Sequence, residues 1–210
     1  MNALNLLSHR LARSDLLQLA TLFFAVLFFS FVITWPSAPS ASNDTWFSVA
    51  QARILCLSLL ALGYGSALLE VKKSQVNKVA LRVALGALLC LALLSAPVEV
   101  MSYALSYPSL PLPYSLGLML LDTYALFGVG MLLGRLLGII RLRALLPLAV
   151  PAVLVGLIMA DLALGLELLN PLSALSQVSL AHLGVMATIA VVTSLYLFTP
   201  SKISPKESTP

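Results

Sequence analysis

The chain has 210 residues, 60% of them hydrophobic and only 10% charged, with a formal net charge of +4. Water-soluble domains run nearer 45–50% apolar and about 25% charged, so a surface this poor in polar groups excludes water as the solvent for most of the chain. The basic residues sit beside apolar runs rather than among surface aromatics, which excludes a nucleic-acid interface.

In residues 2–14, Leu4, Leu7 and Leu11 form one helical stripe, with His9, Arg10 and Arg13 elsewhere. This pattern predicts an amphipathic helix over 1–15 lying in a membrane interface, leucines toward the acyl chains and bases among anionic headgroups. The apolar run 16–35 then resembles a secretion signal, with arginines before it and Ala38-Pro39-Ser40-Ala41-Ser42 after it. A signal's hydrophobic region is about 7–15 residues. This one is near 20 residues, which reads as an uncleaved first span. Further spans are predicted at about 51–69, 79–97, 114–134, 145–168 and 179–198. Long runs without alternating polarity leave helices as the way to satisfy the backbone in hydrocarbon. The predicted fold is an all-α, polytopic membrane bundle of about six helices over 16–198, with a disordered tail over 199–210.

Charge placement orients this bundle. Arg10 and Arg13, Lys72, Lys73, Lys78 and Arg82, Arg135, Arg141 and Arg143, and Lys202 and Lys206 all fall on one side of six spans. The opposite loops, 36–50, 98–113 and 169–178, carry no Lys or Arg, and Arg53 is the one base near that side. The positive-inside rule then places both termini in the cytoplasm. Trp35, Trp46, Tyr103, Tyr107 and Tyr114 gather toward the other surface, where amphipathic rings prefer the headgroup level. Pro108, Pro111 and Pro113 break the chain before the fourth span, and Asn170-Pro171 ends the fifth.

Few residues carry chemistry. Asp122 and Asp161 lie within apolar runs, ~12 Å from the outer end of their span and ~24 Å from the cytoplasmic end respectively. Glu167 is close enough to the outer surface to reach water. An acid at the centre of a helix in lipid costs about 2.5–3.5 kcal/mol, so such groups face protein or a wet cavity. Asp122 and Asp161 are therefore candidates for a translocation path or a proton-linked site; the structural alternative is a local hydrogen bond to Thr123, Tyr124 or another helix. No basic residue is expected at comparable depth. His182 is expected at the outer interface as a hydrogen-bonding side chain, without a second ligand at metal spacing. Cys56 and Cys90 form no Cys-x-x-Cys pair and read as small buried hydrophobes. Gly130, Gly134 and Gly138 recur every four residues, a spacing that suits internal packing or a homodimer equally. Pro147 and Pro151 invite a kink at the start of the fifth span. Phosphate-loop, metalloprotease and nucleophile-elbow motifs are absent. The chain is expected to be no enzyme, and to hold no catalytic residue, metal or intrinsic cofactor.

Two stretches resemble a known family. Leu11-Ala-Arg-Ser-Asp-Leu-Leu-Gln-Leu-Ala-Thr-Leu-Phe-Phe24, running on to Phe29-Ser30-Phe31, is similar to the start of the heme exporter B family, permease subunits of the bacterial cytochrome c maturation ABC transporter. Gly130-Met-Leu-Leu-Gly-Arg135 through Arg143-Ala-Leu-Leu-Pro147-Leu-Ala-Val-Pro151 resembles that family's fourth span, basic loop and entry to span five. The resemblance implies an ABC-2-type permease-like bundle in the bacterial inner membrane. Its implied partners are an ATP-binding subunit and other cytochrome c maturation proteins, with heme as the transported or handled ligand. It also implies an ATPase-coupling segment between spans two and three, here shortened to Leu69–Lys78, in which Glu70, Lys72, Lys73 and Lys78 are the coupling candidates. That shortening favours an alternative, a membrane scaffold subunit that holds partners together without transport.

Overall fold

The computed structural model describes residues 42–68, 78–97, 100, 112–142, 145–164, 171 and 179–199. The interfacial helix over 1–15, the first span over 16–35 and most of the tail lie outside these residues. Among the described residues the fold is all-helical: α1 (Ser42–Leu68), α2 (Lys78–Leu94), α3 (Leu112–Ile139), α4 (Leu146–Leu164) and α5 (Leu180–Phe198). Four of them contain a stretch long and apolar enough to cross a bilayer: Val49–Ala67, Ser115–Ile139, Leu146–Ala163 and Leu180–Phe198. The chain is a helical membrane protein. α2 is shorter, 17 residues, or ~26 Å at 1.5 Å per residue against a hydrocarbon core of about 30 Å.

Two boundaries depart from expectation. α1 begins at Ser42, so residues 42–50 are helix rather than outer loop, and α3 runs on to Ile139, carrying Arg135 within it. Hydropathy marks where a helix meets hydrocarbon. It says nothing about backbone hydrogen bonding that continues beyond it.

Cross-helix contacts give the directions. Arg53 meets Met119, and the backbones of Leu62 and Ser66 lie against Gly130 and Gly134, so partner numbers rise together and α1 and α3 are parallel. The same holds for α3 and α5, joined at Asp122 with His182 and at Gly128 with Thr193. α2 is antiparallel to α5, because Lys78 and Arg82 at its start reach Thr199 and Leu197 at the end of α5. α4 returns from the short turn after α3. One end of the bundle therefore collects the starts of α2 and α4 and the finishes of α1, α3 and α5. Lys78, Arg82, Arg135 and Arg141 are all there, and it is called the basic end below.

Among the described helices, α1 and α3 form the most extensive contact. A Cβ added at Gly130 would lie 2.9 Å from Leu62 Cα, and one at Gly134 would lie 2.8 Å from Ser66 Cα. Gly65 answers from α1, against the Phe127 carbonyl. Two backbones this close gain dispersion along their whole length, which matters in lipid because apolar side chains gain little by leaving it. Of the two uses open to the glycine spacing, Gly130 and Gly134 serve internal packing.

Around this pair the core is filled by Ile54, Leu57 and Leu62 of α1, Leu81, Leu85 and Leu88 of α2, and Leu118, Leu126 and Phe127 of α3. α2 shows a buried apolar stripe, Leu81, Leu85, Leu88 and Leu91–Ala92. Cys90 falls off that stripe and is exposed, contrary to the expectation that it is buried, while Cys56 is half-buried. α4 is apolar all round and sits at the rim, Leu148 and Leu162 being 71% and 75% exposed. That exposure is tolerable only against lipid. Pro147 occupies the first turn of α4, where a missing donor costs nothing. Pro151 lies inside the helix and removes the bond that would have reached the Pro147 carbonyl.

The basic end is fastened by two cations. Lys78 Nζ donates to the Thr199 carbonyl at 2.8 Å and Arg82 Nε to the Leu197 carbonyl at 3.0 Å. Both acceptors belong to the end of α5, where helix carbonyls lack intrahelical partners and the macrodipole is negative. Lys78 also stands 5.1 Å from the centroid of the Tyr196 ring, and Arg82 stands 4.9 Å from that of Phe198. α3 ends nearby in a Schellman turn, with Leu142 N–H donating to Leu137 O at 2.9 Å and Arg141 N–H to Gly138 O at 3.3 Å. The left-handed position of that turn is usually glycine; here it is Arg141, at φ 58°. A non-glycine residue there costs about 1–2 kcal/mol. Arg141→Gly is expected to raise resistance to thermal unfolding in mild detergent, and an unchanged or lower midpoint would remove the strain assigned to this residue.

Candidate functional site

In hydrocarbon a hydroxyl must find an acceptor, and most of those in this bundle bond to their own helix. Thr123 Oγ1 donates to Met119 O and Thr193 Oγ1 to Ile189 O, each at 2.8 Å. Ionisable side chains cannot be satisfied so locally. Among the described residues four of them are buried: Arg53 at 0% exposure, His182 at 2%, Asp122 at 3% and Asp161 at 5%.

All four lie in the half of the bundle away from the basic end. Arg53 is four residues into the apolar stretch of α1, and Asp122 is seven into that of α3. Asp161 is two residues before the end of the α4 stretch, and His182 is two after the start of α5. With ~1.5 Å per residue these depths overlap. The Arg53 guanidinium donates to Met119 Sδ, one helical turn from Asp122 on α3.

The centre of the site is a dyad. His182 Nε2 and Asp122 Oδ1 are 2.9 Å apart, bridging α3 and α5. Ser179 caps α5 and accepts from the His182 N–H, which fixes the imidazole in the first turn of the helix. The free N–H groups of that turn make it positive. Asp122 Oδ2 is buried with no hydrogen-bond partner among the described residues.

The expectation that no base shares the depth of the acids is overturned by Arg53 and His182. His182 is buried rather than interfacial, although its expected hydrogen-bonding role holds, and of the local and cross-helix partners weighed for Asp122 the structure selects a neighbouring helix. Asp161 is buried as expected. Glu167, Glu70, Lys72 and Lys73 lie outside the described residues, and Lys78 is held at the end of α5. Arg53 was legible in sequence as a base between Ala52 and Ile54, deep enough in an apolar run to need a protein environment.

Deeper toward the middle of the bundle, an open apolar groove of about 550 Å³ lies between α2, α3 and α5. Leu89, Leu93 and Leu121 form its walls. The Tyr124 hydroxyl, 2.7 Å from Ser194 Oγ, supplies its polar spot. Among the described residues no group of three or more His, Cys, Asp or Glu side chains is placed to hold a metal ion. No protein family, curated protein or solved structure matches the chain.

Proposed function

We propose that this chain is the membrane-embedded permease subunit of a transporter, a six-span bundle of the inner membrane with both termini in the cytoplasm, driven by a separate ATP-binding subunit. The observation that carries a transport role is the burial of Arg53, Asp122, Asp161 and His182 inside a lipid-embedded bundle. A charge at the centre of a helix in lipid costs about 2.5–3.5 kcal/mol, and ionisable groups buried within spans mark substrate or ion paths. A chain needing only to hold its helices together has a cheaper means in the α1–α3 glycine contact.

The basic end faces the cytoplasm in this reading, by the positive-inside rule. The similarity to the heme exporter B family supplies the cargo class, heme exported or handled during c-type cytochrome assembly, and the partners. ATP-driven closure of the partner pushes on the segment holding Glu70, Lys72, Lys73 and Lys78. Lys78 and Arg82 grip the end of α5, and α5 carries His182 at its other end. α5 thus links the coupling surface to the buried dyad and rocks against α3, as helices do in alternating access.

Purification from the native membrane in mild detergent tests this. An ATP-binding subunit is expected to accompany the chain, with ATPase activity that drops on reversing Lys72 and Lys73 to Glu. Recovery of the chain alone would sink the permease reading, and a partner whose ATPase ignores the reversal would leave the scaffold. Gene deletion is expected to abolish covalent heme in c-type cytochromes; intact cytochromes would remove that pathway. Reporter fusions at 70–78 and 135–144 are expected on the same, cytoplasmic face.

A further inference from the structure

We propose that the Asp122–His182 dyad is a proton-binding site, taking up and releasing one proton per chain through the end of the bundle opposite the basic one. The inference stands on the dyad's geometry and does not require the chain to be a permease.

With an ionised carboxylate and a neutral imidazole, the dyad carries one negative charge, and Nε2–H donates to Oδ1. Adding a proton to the pair makes it neutral overall, either as imidazolium and carboxylate or as imidazole and carboxylic acid. The hydrogen bond at 2.9 Å survives in both states. No covalent bond rearranges, and the proton comes from water and returns to it.

Both side chains are buried, at 2% and 4% exposure. The first turn of α5 and the cation of Arg53, held at Met119 one turn from Asp122, place positive charge on the same side of the bundle. Among the titratable groups on the elements packed around α3, Asp161 is buried near the far end of α4. α2 presents Leu89 and Leu93 at this depth, its Lys78 and Arg82 being at the other end. Asp122 Oδ2, buried and unpartnered among the described residues, is the atom at which a proton or a donated hydrogen bond would be gained.

Sidedness follows from depth. His182 is two residues from the start of α5, ~3 Å along the axis. The basic end is some sixteen residues away in the other direction, roughly 24 Å through apolar packing. Exchange with the nearer surface is the short route.

The chain contains two histidines, His9 and His182, which makes a direct test available. A His9→Gln variant labelled with 15N-histidine, reconstituted in vesicles in known orientation, reports His182 alone by solid-state NMR. As pH is lowered from 8 to 5 on the side of the dyad, with the other side held constant, the histidine signal is expected to change once. The change is a shift of the Nε2 resonance or conversion of a neutral ring to a doubly protonated one. Asp122→Asn is expected to abolish it. A histidine signal constant across this range in the His9→Gln protein would overturn the proposal by showing a permanently locked structural pair. A change that follows pH on the basic side instead would overturn the assigned route. If Asp122→Asn yields no folded protein, the pH series on the Asp122-containing chain decides alone.

Discussion

Gly130→Leu is expected to abolish recovery of monodisperse protein in mild detergent, while Gly86→Ala leaves it unchanged or slightly more stable. The two glycines differ in what a side chain would meet. At Gly130 the first added carbon already falls against the backbone of Leu62, and at Gly134 against that of Ser66. At Gly86 nothing lies within 4 Å. Overpacking against side chains typically costs about 1–3 kcal/mol because rotamers can give way. Backbone atoms of a hydrogen-bonded helix have no rotamer to change, so relief requires separating α1 from α3. That contact is the largest among the described helices, and in lipid close approach is itself the attractive force. A total stability of about 5–15 kcal/mol does not survive its loss. Gly86→Ala removes only the backbone entropy penalty of a helical glycine, a gain of roughly 0.5–1 kcal/mol. Wild-type yield and unfolding midpoint for Gly130→Leu, measured by size-exclusion chromatography and thermal unfolding, would show that α1 and α3 are not in contact through this glycine.

Asp122→Ala and His182→Ala are each expected to destabilise the bundle strongly, and the double variant by clearly less than the sum. The size of the coupling distinguishes two physical pictures. A neutral hydrogen bond between membrane helices averages about 0.6 kcal/mol and reaches about 1.7. Removing one partner of a buried charged pair costs about 3–5 kcal/mol, because the other is left uncompensated. One carboxylate oxygen of the dyad already lacks a hydrogen-bond partner among the described residues, so losing the imidazole would strip Asp122 of its hydrogen bond to α5. A coupling above roughly 2 kcal/mol is therefore expected from the double-mutant cycle. A value below about 0.5 kcal/mol would mean that the two side chains are satisfied independently and that α3 and α5 are held by other contacts. Tyr124 and Ser194, 2.7 Å apart on the same two helices, provide a neutral comparison expected to stay within the lower range.

These two predictions concern contacts, and contacts are what the sequence left open. The need for lipid, the helical class and the sorting of Lys and Arg follow from single residues and their order, since transfer into hydrocarbon is close to additive along a chain. The depth of Asp122 follows as well, because a helix advances by a fixed ~1.5 Å per residue; the same spacing held the depth of Arg53, which the reading of the loops passed over. Azimuth does not follow. α1, α3, α4 and α5 are apolar on most sides, so apolar periodicity does not tell which side of each faces protein; α2, with its Leu81, Leu85, Leu88 stripe, is clearer.

Tertiary structure therefore decided what the sequence could only pose. It turned Asp122 toward His182 and carried Arg53 to full burial beside Met119. It spent two of the three spaced glycines on α1 rather than on a second copy, and left Cys90 facing outward. In water, burial of apolar surface would have betrayed these faces in the pattern of polar and apolar residues. In lipid both faces are apolar, and the information lies in close backbone approach and in the few polar groups that must find each other.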